Sequence, residues 1–281
     1  MMQGAILQLN VSDDPGDNLG KTLAMLDEAV RAGAEFVLTP EVTNCVSTSR
    51  SHQQDVLLHE DEDITLATLR KAAAEAGIWL LIGSLGLKTG DADGRFANRS
   101  FLIDPQGGIV ARYDKIHMFD VQINESETYR ESAGYRPGTQ AVVADTPFGK
   151  IGLSICYDVR FPLLYNALAR AGAQIITVPA AFSPVTGAAH WHALLRARAI
   201  ETGCFVIAPA QTGTHASAEH KTRDCYGHSL VVSPWGEVLL DAGDTAGVYN
   251  FALDMDDVAK ARGKVPSMAN ARMFDAPEVA S

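Results

Sequence analysis

The chain has 281 residues, 47% of them hydrophobic and 20% charged, with a formal net charge of −11. That composition supports a large buried core and excludes a disordered chain. The acidic balance argues against nucleic acid or an anionic membrane as the main partner, since both demand basic patches.

Residues 1–10, MMQGAILQLN, enter a strand pattern without a basic leader region or a long apolar stretch. Neither a signal peptide nor a membrane-spanning helix is expected. AILQLNV (5–11) predicts the first strand. Residues 18–34 carry apolar positions at helical spacing and end at a glycine, which predicts a helix. EFVLTPE (35–41) predicts a strand that finishes on a glutamate. Residues 63–77 predict a second helix, and 78–87 a buried strand. RSFLIDPQGGIVARYDK (99–115) reads as two strands joined by a DPQGG turn. The stretch 117–138 is polar and irregular, and loops of that length in compact domains are usually functional. The pattern resumes with the strand KIGLSIC, a helix over 162–172, a strand over 173–182, a helix over 188–203 and a strand over 204–212. A second hairpin turns at SPWGE within 228–243, and 247–254 predict a further strand. A C-terminal tail is expected from about residue 255 to 281.

The two halves repeat one order: strand–helix–strand–helix–strand, then a hairpin with Pro and Gly in its turn. Amphipathic helices cover one face of each sheet, and the simplest cover for the other faces is sheet against sheet. The predicted fold is α/β, a four-layer α-β-β-α sandwich with internal pseudo-duplication, formed as a single domain over 1–281. A doubly wound three-layer fold is the alternative.

GKIGLSICYDVRFP (149–162) reads as a buried strand that ends in a cysteine and turns at once toward a helix. A thiol placed there sits at the rim of the sheet, beside helix N–H groups that favour developing negative charge. That is one way to set a nucleophile next to an oxyanion site. The alternative for Cys156 is a small core residue. Glu41 and Lys115 also lie at strand ends, and the three meet if those ends share one edge of the sheets. Glu41 is then a candidate base for the thiol, and Lys115 a cation for the oxyanion. Taken singly, Glu41 reads as a solvated strand end, and Lys115 as a partner of Asp114 or Asp120. Cys45, Cys156, Cys204 and Cys225 are far apart, without a CxxC pair or a zinc spacing. That fits a reduced, cytoplasmic chain better than a disulfide framework. His190 and His192, two apart on a predicted helix, face different directions. No metal is expected, and without a GxGxxG or P-loop pattern no nucleotide or other cofactor either.

In chain order, TPEVTNC, YDKIHMFD and GLSICYDVRFP resemble the glutamate, lysine and cysteine motifs of the nitrilase, or carbon–nitrogen hydrolase, superfamily. VPAAFSPVTGAAHWHALLRARAIETGCFVIAPAQTG and YGHSLVVSPWGEVL are similar to its Nit-like amidase branch, so the resemblance covers nearly the whole chain. It implies a triad of Glu41, Lys115 and Cys156 on an α-β-β-α sandwich. It also implies a second glutamate after the lysine that orients Lys115 and the substrate. Glu131, in RESAGYRPG, matches that position best, ahead of Glu127 and Glu125. The Tyr157 N–H is expected in the oxyanion hole. Phe182 and Thr186 are expected on a loop lining the site, whereas His190, Trp191 and His228 are read as packing residues. Arg160 is read either as the partner of a substrate carboxylate or as a structural partner of Asp158 or a helix end.

The implied activity is hydrolysis of a small linear ω-amide to acid and ammonia through a cysteine thioester. Deaminated glutathione and α-ketoglutaramate are the expected substrate types, and RARAIETGCFVIAPAQTG favours the first. A preference for amides carrying a distant carboxylate is expected, with Arg160, Arg136 and Lys221 as candidate cations. The expected partners are a small-molecule amide and further copies of the chain, as a homodimer or higher oligomer. A nitrilase or an N-carbamoyl amino acid hydrolase would use the same triad. A non-catalytic binding protein and a redox-sensing thiol, with Cys45 or Cys204 as resolving cysteine, are readings of other classes.

Overall fold

The computed structural model describes residues 1–123, 128–217 and 221–279. The first half runs β1 (Met2–Gln8), α1 (Pro15–Arg31), β2 (Phe36–Leu38), α2 (Arg50–Val56), α3 (Ile64–Ala76), β3 (Trp79–Lys88), β4 (Phe96–Ile103) and β5 (Ile109–Asp114). A connecting stretch carries β6 (Asp120–Gln122), β7 (Thr128–Arg130) and a 3-10 turn over Glu131–Ala133. The second half runs β8 (Val142–Thr146), β9 (Gly149–Leu153), a 3-10 turn (Cys156–Arg160), α4 (Pro162–Arg170), β10 (Ile175–Thr177), α5 (Pro184–Thr202) and β11 (Phe205–Ala208). It continues with β12 (Thr212–His215), β13 (Arg223–Tyr226), β14 (Leu230–Val232) and β15 (Val238–Asp241). β16 (Gly247–Leu253), α6 (Asp256–Lys264) and α7 (Ser267–Asn270) follow.

Two six-stranded sheets result, ordered β16-β1-β2-β3-β4-β5 and β15-β14-β11-β10-β9-β8. In each, three parallel strands (β1, β2, β3; β9, β10, β11) lead into an antiparallel hairpin (β4, β5; β14, β15), and one antiparallel strand guards the other edge. This is the expected pseudo-duplication. Strand periodicity assigns the layers. On β2, Val37 joins Leu26 and Ala29 of α1 and Leu69 and Ala73 of α3 in one core. Its neighbours Phe36 and Leu38 join Ile151, Leu153 and Ile175 of the other sheet, which also packs on Leu164 of α4 and Trp191 and Leu195 of α5. The order across the molecule is α-β-β-α, as anticipated.

Local chemistry explains the helix ends. Asp14 caps α1 by accepting from the Gly16 and Asp17 N–H groups, with Pro15 at the first position. Asp63 caps α3 by accepting from Leu66 N–H, and Gly77 closes it at φ 65°. Other boundaries differ from expectation. The strands read over 173–182 and 204–212 are regular only over Ile175–Thr177 and Phe205–Ala208, because Pro179 and Pro209 lack the N–H that a ladder needs. Strand β8, helix α2 and the β12–β13 hairpin were not anticipated. The C-terminal stretch is more than a tail: α6 places Val258 in the core, and Arg262 Nη2 donates to the Ala173 carbonyl at 2.7 Å.

Candidate active site

Glu41 stands three residues beyond β2, on a turn rather than on the strand itself. Val42 follows it at φ 48°, a left-handed conformation that costs a β-branched residue energy. The turn is over-determined. Val42 N–H donates to Ser84 Oγ at 2.7 Å, Thr43 N–H to Ser84 O at 2.9 Å, and Gln211 Nε2 to the Glu41 carbonyl at 3.0 Å. Gly83 lets this turn lie on β3: a Cβ there would sit 2.0 Å from Thr39 O and 2.6 Å from Pro179 Cβ. The Glu41 side chain is buried.

Lys115 follows β5 directly and is 2% exposed. Its Nζ donates to Glu41 Oε1 at 2.8 Å and to both Glu131 oxygens at 2.9 Å. Glu131 opens the 3-10 turn after β7, and its Oε2 also accepts from Phe119 N–H at 2.6 Å. Among the described residues Glu131 is thus the loop glutamate bonded to Lys115; Glu125 and Glu127 lie outside the described residues. Asn98, on β4, donates from Nδ2 to Glu41 Oε1 at 2.8 Å and to Glu131 Oε1 at 3.4 Å. The sequence reading missed it. Its only signal was one amide in a mostly apolar strand, FANRSFLI.

Cys156 lies three residues past β9 at φ 49°, with its N–H donating to Pro179 O at 2.9 Å. The next turn is anchored by Asp158, which has no exposed surface. Its Oδ2 accepts from Ile155 N–H at 2.9 Å and Tyr113 OH at 2.7 Å. Its Oδ1 accepts from His117 N–H at 3.0 Å and His117 Nδ1 at 2.7 Å. A carboxylate can only accept, so that imidazole carries its proton on Nδ1. Asp158 thereby ties the cysteine turn to the strand and loop that carry Lys115. The thiol lies against the Glu41 carboxylate and the Ala181 N–H, and Ala181 N–H donates to Glu41 Oε2 at 2.8 Å.

Charge decides the protonation states. Burial is the largest influence on Glu41 and pushes its pKa up. The Lys115 charge and hydrogen bond, with Arg223 and the Cys156 thiol, outweigh burial and hold it below the usual carboxylate range. Burial likewise opposes the Lys115 charge, but Glu131, Glu41 and Cys156 drive its pKa well above 10.5. Burial and the Glu41 charge push the Cys156 thiol well above 9.0, against the pull of Lys115. The group is a neutral thiol beside a carboxylate base and a fixed ammonium. Such a group can transfer the thiol proton as sulfur attacks, and can hold an oxyanion.

These side chains line a cavity of about 880 Å³. Tyr157, Phe182 and Thr186 line it too, and Thr186 Oγ1 is buried without a hydrogen-bond partner among the described residues. Arg160 is the residue read either as the partner of a substrate carboxylate or as a structural partner. It stands over the rings of Tyr157 and Phe182, at 5.8 and 5.4 Å, and is not among the described lining residues. Arg136 is paired with Asp91 and Asp114. Lys221 does line the cavity, with Arg50, Arg130 and Arg223. Arg223 was missed because the β12–β13 hairpin was missed. Elsewhere, His192 Nε2 and His228 Nδ1 each bond Asp241 at 2.9 Å, a trio from α5, the loop before β14 and β15 whose ligand atoms lie within 4.8 Å of one another. Spacing in sequence could not reveal it.

The carbon-nitrogen hydrolase family model matches residues 4–263. The chain is 38% identical over 269 residues to a deaminated glutathione amidase of Yersinia enterocolitica, covering 95% of this chain and 92% of that one. It superposes on the crystal structure of the C. elegans NitFhit protein with a TM-score of 0.87 at 34% identity, covering 96% of this chain and 65% of that chain. It also matches an amidase from Nesterenkonia sp. AN1 (TM-score 0.77, 26% identity, 95% and 98% covered). The structure of that enzyme is of a mutant showing Michael addition of acrylamide at the active-site cysteine.

Proposed function

Because the chain belongs to the carbon–nitrogen hydrolase family, and is a hydrolase of non-peptide C–N bonds, we propose that Glu41, Lys115 and Cys156 are its catalytic triad, with Glu131 holding Lys115. The observation that carries this reading is the Lys115 ammonium, bonded to both carboxylates in a buried site beside a strained strand-end thiol. Cys156 Sγ attacks the amide carbon while Glu41 takes the thiol proton. Lys115 Nζ and the Tyr157 N–H hold the oxyanion. Collapse breaks the C–N bond as Glu41 returns the proton to nitrogen, leaving a thioester. Glu41 then takes a proton from water, hydroxide adds to the thioester carbon, and the thiol and the acid leave.

The substrate we propose is deaminated glutathione or an amide of that type. Apart from the triad and Glu131, the charged lining among the described residues is Arg50, Arg130, Lys221 and Arg223 against the single carboxylate Asp224. A locally cationic cavity in a chain of net charge −11 suits an anionic substrate. The volume also suits more than a primary amide. For deaminated glutathione the leaving amine is a dipeptide, whereas α-ketoglutaramate releases ammonia. Four free cysteines fit a reducing, cytoplasmic setting. A homo-oligomer is part of the proposal, with Leu163 of α4 and Ile200 of α5 as exposed apolar side chains that an interface would cover.

The test is an amine-release screen across deaminated glutathione, ω-amides, N-carbamoyl amino acids and nitriles. Turnover of the first two, with little of the others, is expected. Nitrile turnover without amide turnover would overturn the reading.

A further inference from the structure

The cations of the cavity differ in standing. Arg50, Arg130 and Lys221 are exposed, and Arg50 is held by the carbonyls of Ala133 and Gly94. Arg223 is half-buried. Alternation along β13 puts it on the same face as buried Cys225 and sends Asp224 to the other face. Arg223 Nη2 donates to the Ala181 carbonyl at 2.7 Å. It has no carboxylate partner among the described residues, unlike Arg99, Arg136 and Arg198. Arg70 and Arg196 also bond to carbonyls, but neither lines the cavity. Burial opposes the Arg223 charge, while the Glu41 carboxylate favours it.

Ala181 fixes the distance between this cation and the chemistry. Its N–H donates to Glu41 while its carbonyl accepts from Arg223. With three covalent bonds between those two atoms, Arg223 Nη2 lies within about 10 Å of Glu41 Oε2. In a dicarboxylic monoamide the carboxylate sits roughly 4–6 Å from the amide carbon, inside that reach. We propose that Arg223 anchors a carboxylate subsite in the cavity, its remaining N–H groups gripping a substrate carboxylate while Nη2 stays on Ala181. The proposal rests on the amidase reading above and goes beyond it by naming the side chain that selects charge.

The experiment pairs Arg223→Gln with Arg160→Gln. Glutamine keeps an N–H for the Ala181 carbonyl but loses the charge and the fork. Calorimetric binding of glutarate and of 2-oxoglutarate to the Cys156→Ala protein is compared with and without Arg223→Gln. Binding tenfold to a hundredfold weaker is expected on loss of the arginine. In the active enzyme, Arg223→Gln should lower kcat/KM for succinamate and glutaramate at least tenfold more than for butyramide. Unchanged binding, or no measurable binding before the change, overturns the subsite. So does an equal loss on charged and neutral amides, which marks an effect through Ala181 and Glu41, or a larger selective loss with Arg160→Gln. Failure of wild type to hydrolyse any amide would instead sink the amidase reading, and the calorimetric comparison would still decide on Arg223.

Discussion

Replacing Asp158 by asparagine should both destabilise the fold and slow the enzyme. The fully buried carboxylate accepts four hydrogen bonds, two at each oxygen. Asparagine presents one oxygen and one N–H₂. If the amide nitrogen takes the Oδ2 place, Tyr113 can turn its hydroxyl to accept, but the Ile155 N–H is orphaned. If it takes the Oδ1 place, His117 can switch tautomer, but its backbone N–H is orphaned. One buried N–H loses its partner either way, at about 1–3 kcal/mol, and the bonds that survive lose their charge assistance. The total is about 2–5 kcal/mol, a large share of a typical stability of about 5–15 kcal/mol. A fall in Tm on the order of 5–15 °C follows. The same bonds hold Cys156 at φ 49° and join its turn to the Lys115 loop. Small displacements of a nucleophile are costly, so kcat should drop roughly tenfold to a hundredfold with KM less affected. Thermal unfolding and steady-state kinetics on the purified variant read both effects. A Tm within about 2 °C of wild type together with kcat within about twofold would refute this account of the turn.

Glu41→Gln and Lys115→Met should each lose about a hundredfold or more in kcat while remaining folded by circular dichroism, since one removes the proposed base and the other the proposed cation for the oxyanion. Glu131→Ala should cost more activity than Glu125→Ala or Glu127→Ala; a silent Glu131 beside a dead Glu127 would reassign the loop. Glu41 is held below its ordinary 4.5, so its base form is lost only as pH falls through that lowered value. Lys115 and Cys156 are held above 10.5 and 9.0, so neither should titrate below those values. For a substrate that does not itself titrate, kcat/KM should be flat from about pH 5.5 to 8.5, and an acid limb near neutrality would show that Glu41 is not the base.

The meeting of Glu41, Lys115 and Cys156 was legible because each closes or follows a strand-like run, and the ends of β2 and β5 in one sheet come together with the end of β9 in the other. The layers were legible for a similar reason: helix and strand periods separate cleanly around Val37 and its neighbours Phe36 and Leu38. What escaped depended on contacts across the sequence. Asn98 sits mid-strand, and nothing local says that its amide meets two carboxylates 57 and 33 residues away. Arg223 escaped because its hairpin is short and polar, so no hydrophobic alternation marked it. The place of Arg160 over the Tyr157 and Phe182 rings, set by the 3-10 turn that follows the cysteine, was not legible either. Pro179 and Pro209 were visible and were given too little weight as strand breakers.

The central claim is that Cys156 is acylated by an amide. Acid-quenching the enzyme during turnover, followed by intact-protein and peptide mass spectrometry, tests it directly. The account predicts an adduct of the acyl group's mass on the peptide bearing Cys156, and neither adduct nor turnover with Cys156→Ala. An acyl group on another residue, or a Cys156→Ala enzyme that keeps a tenth of wild-type turnover, would contradict it.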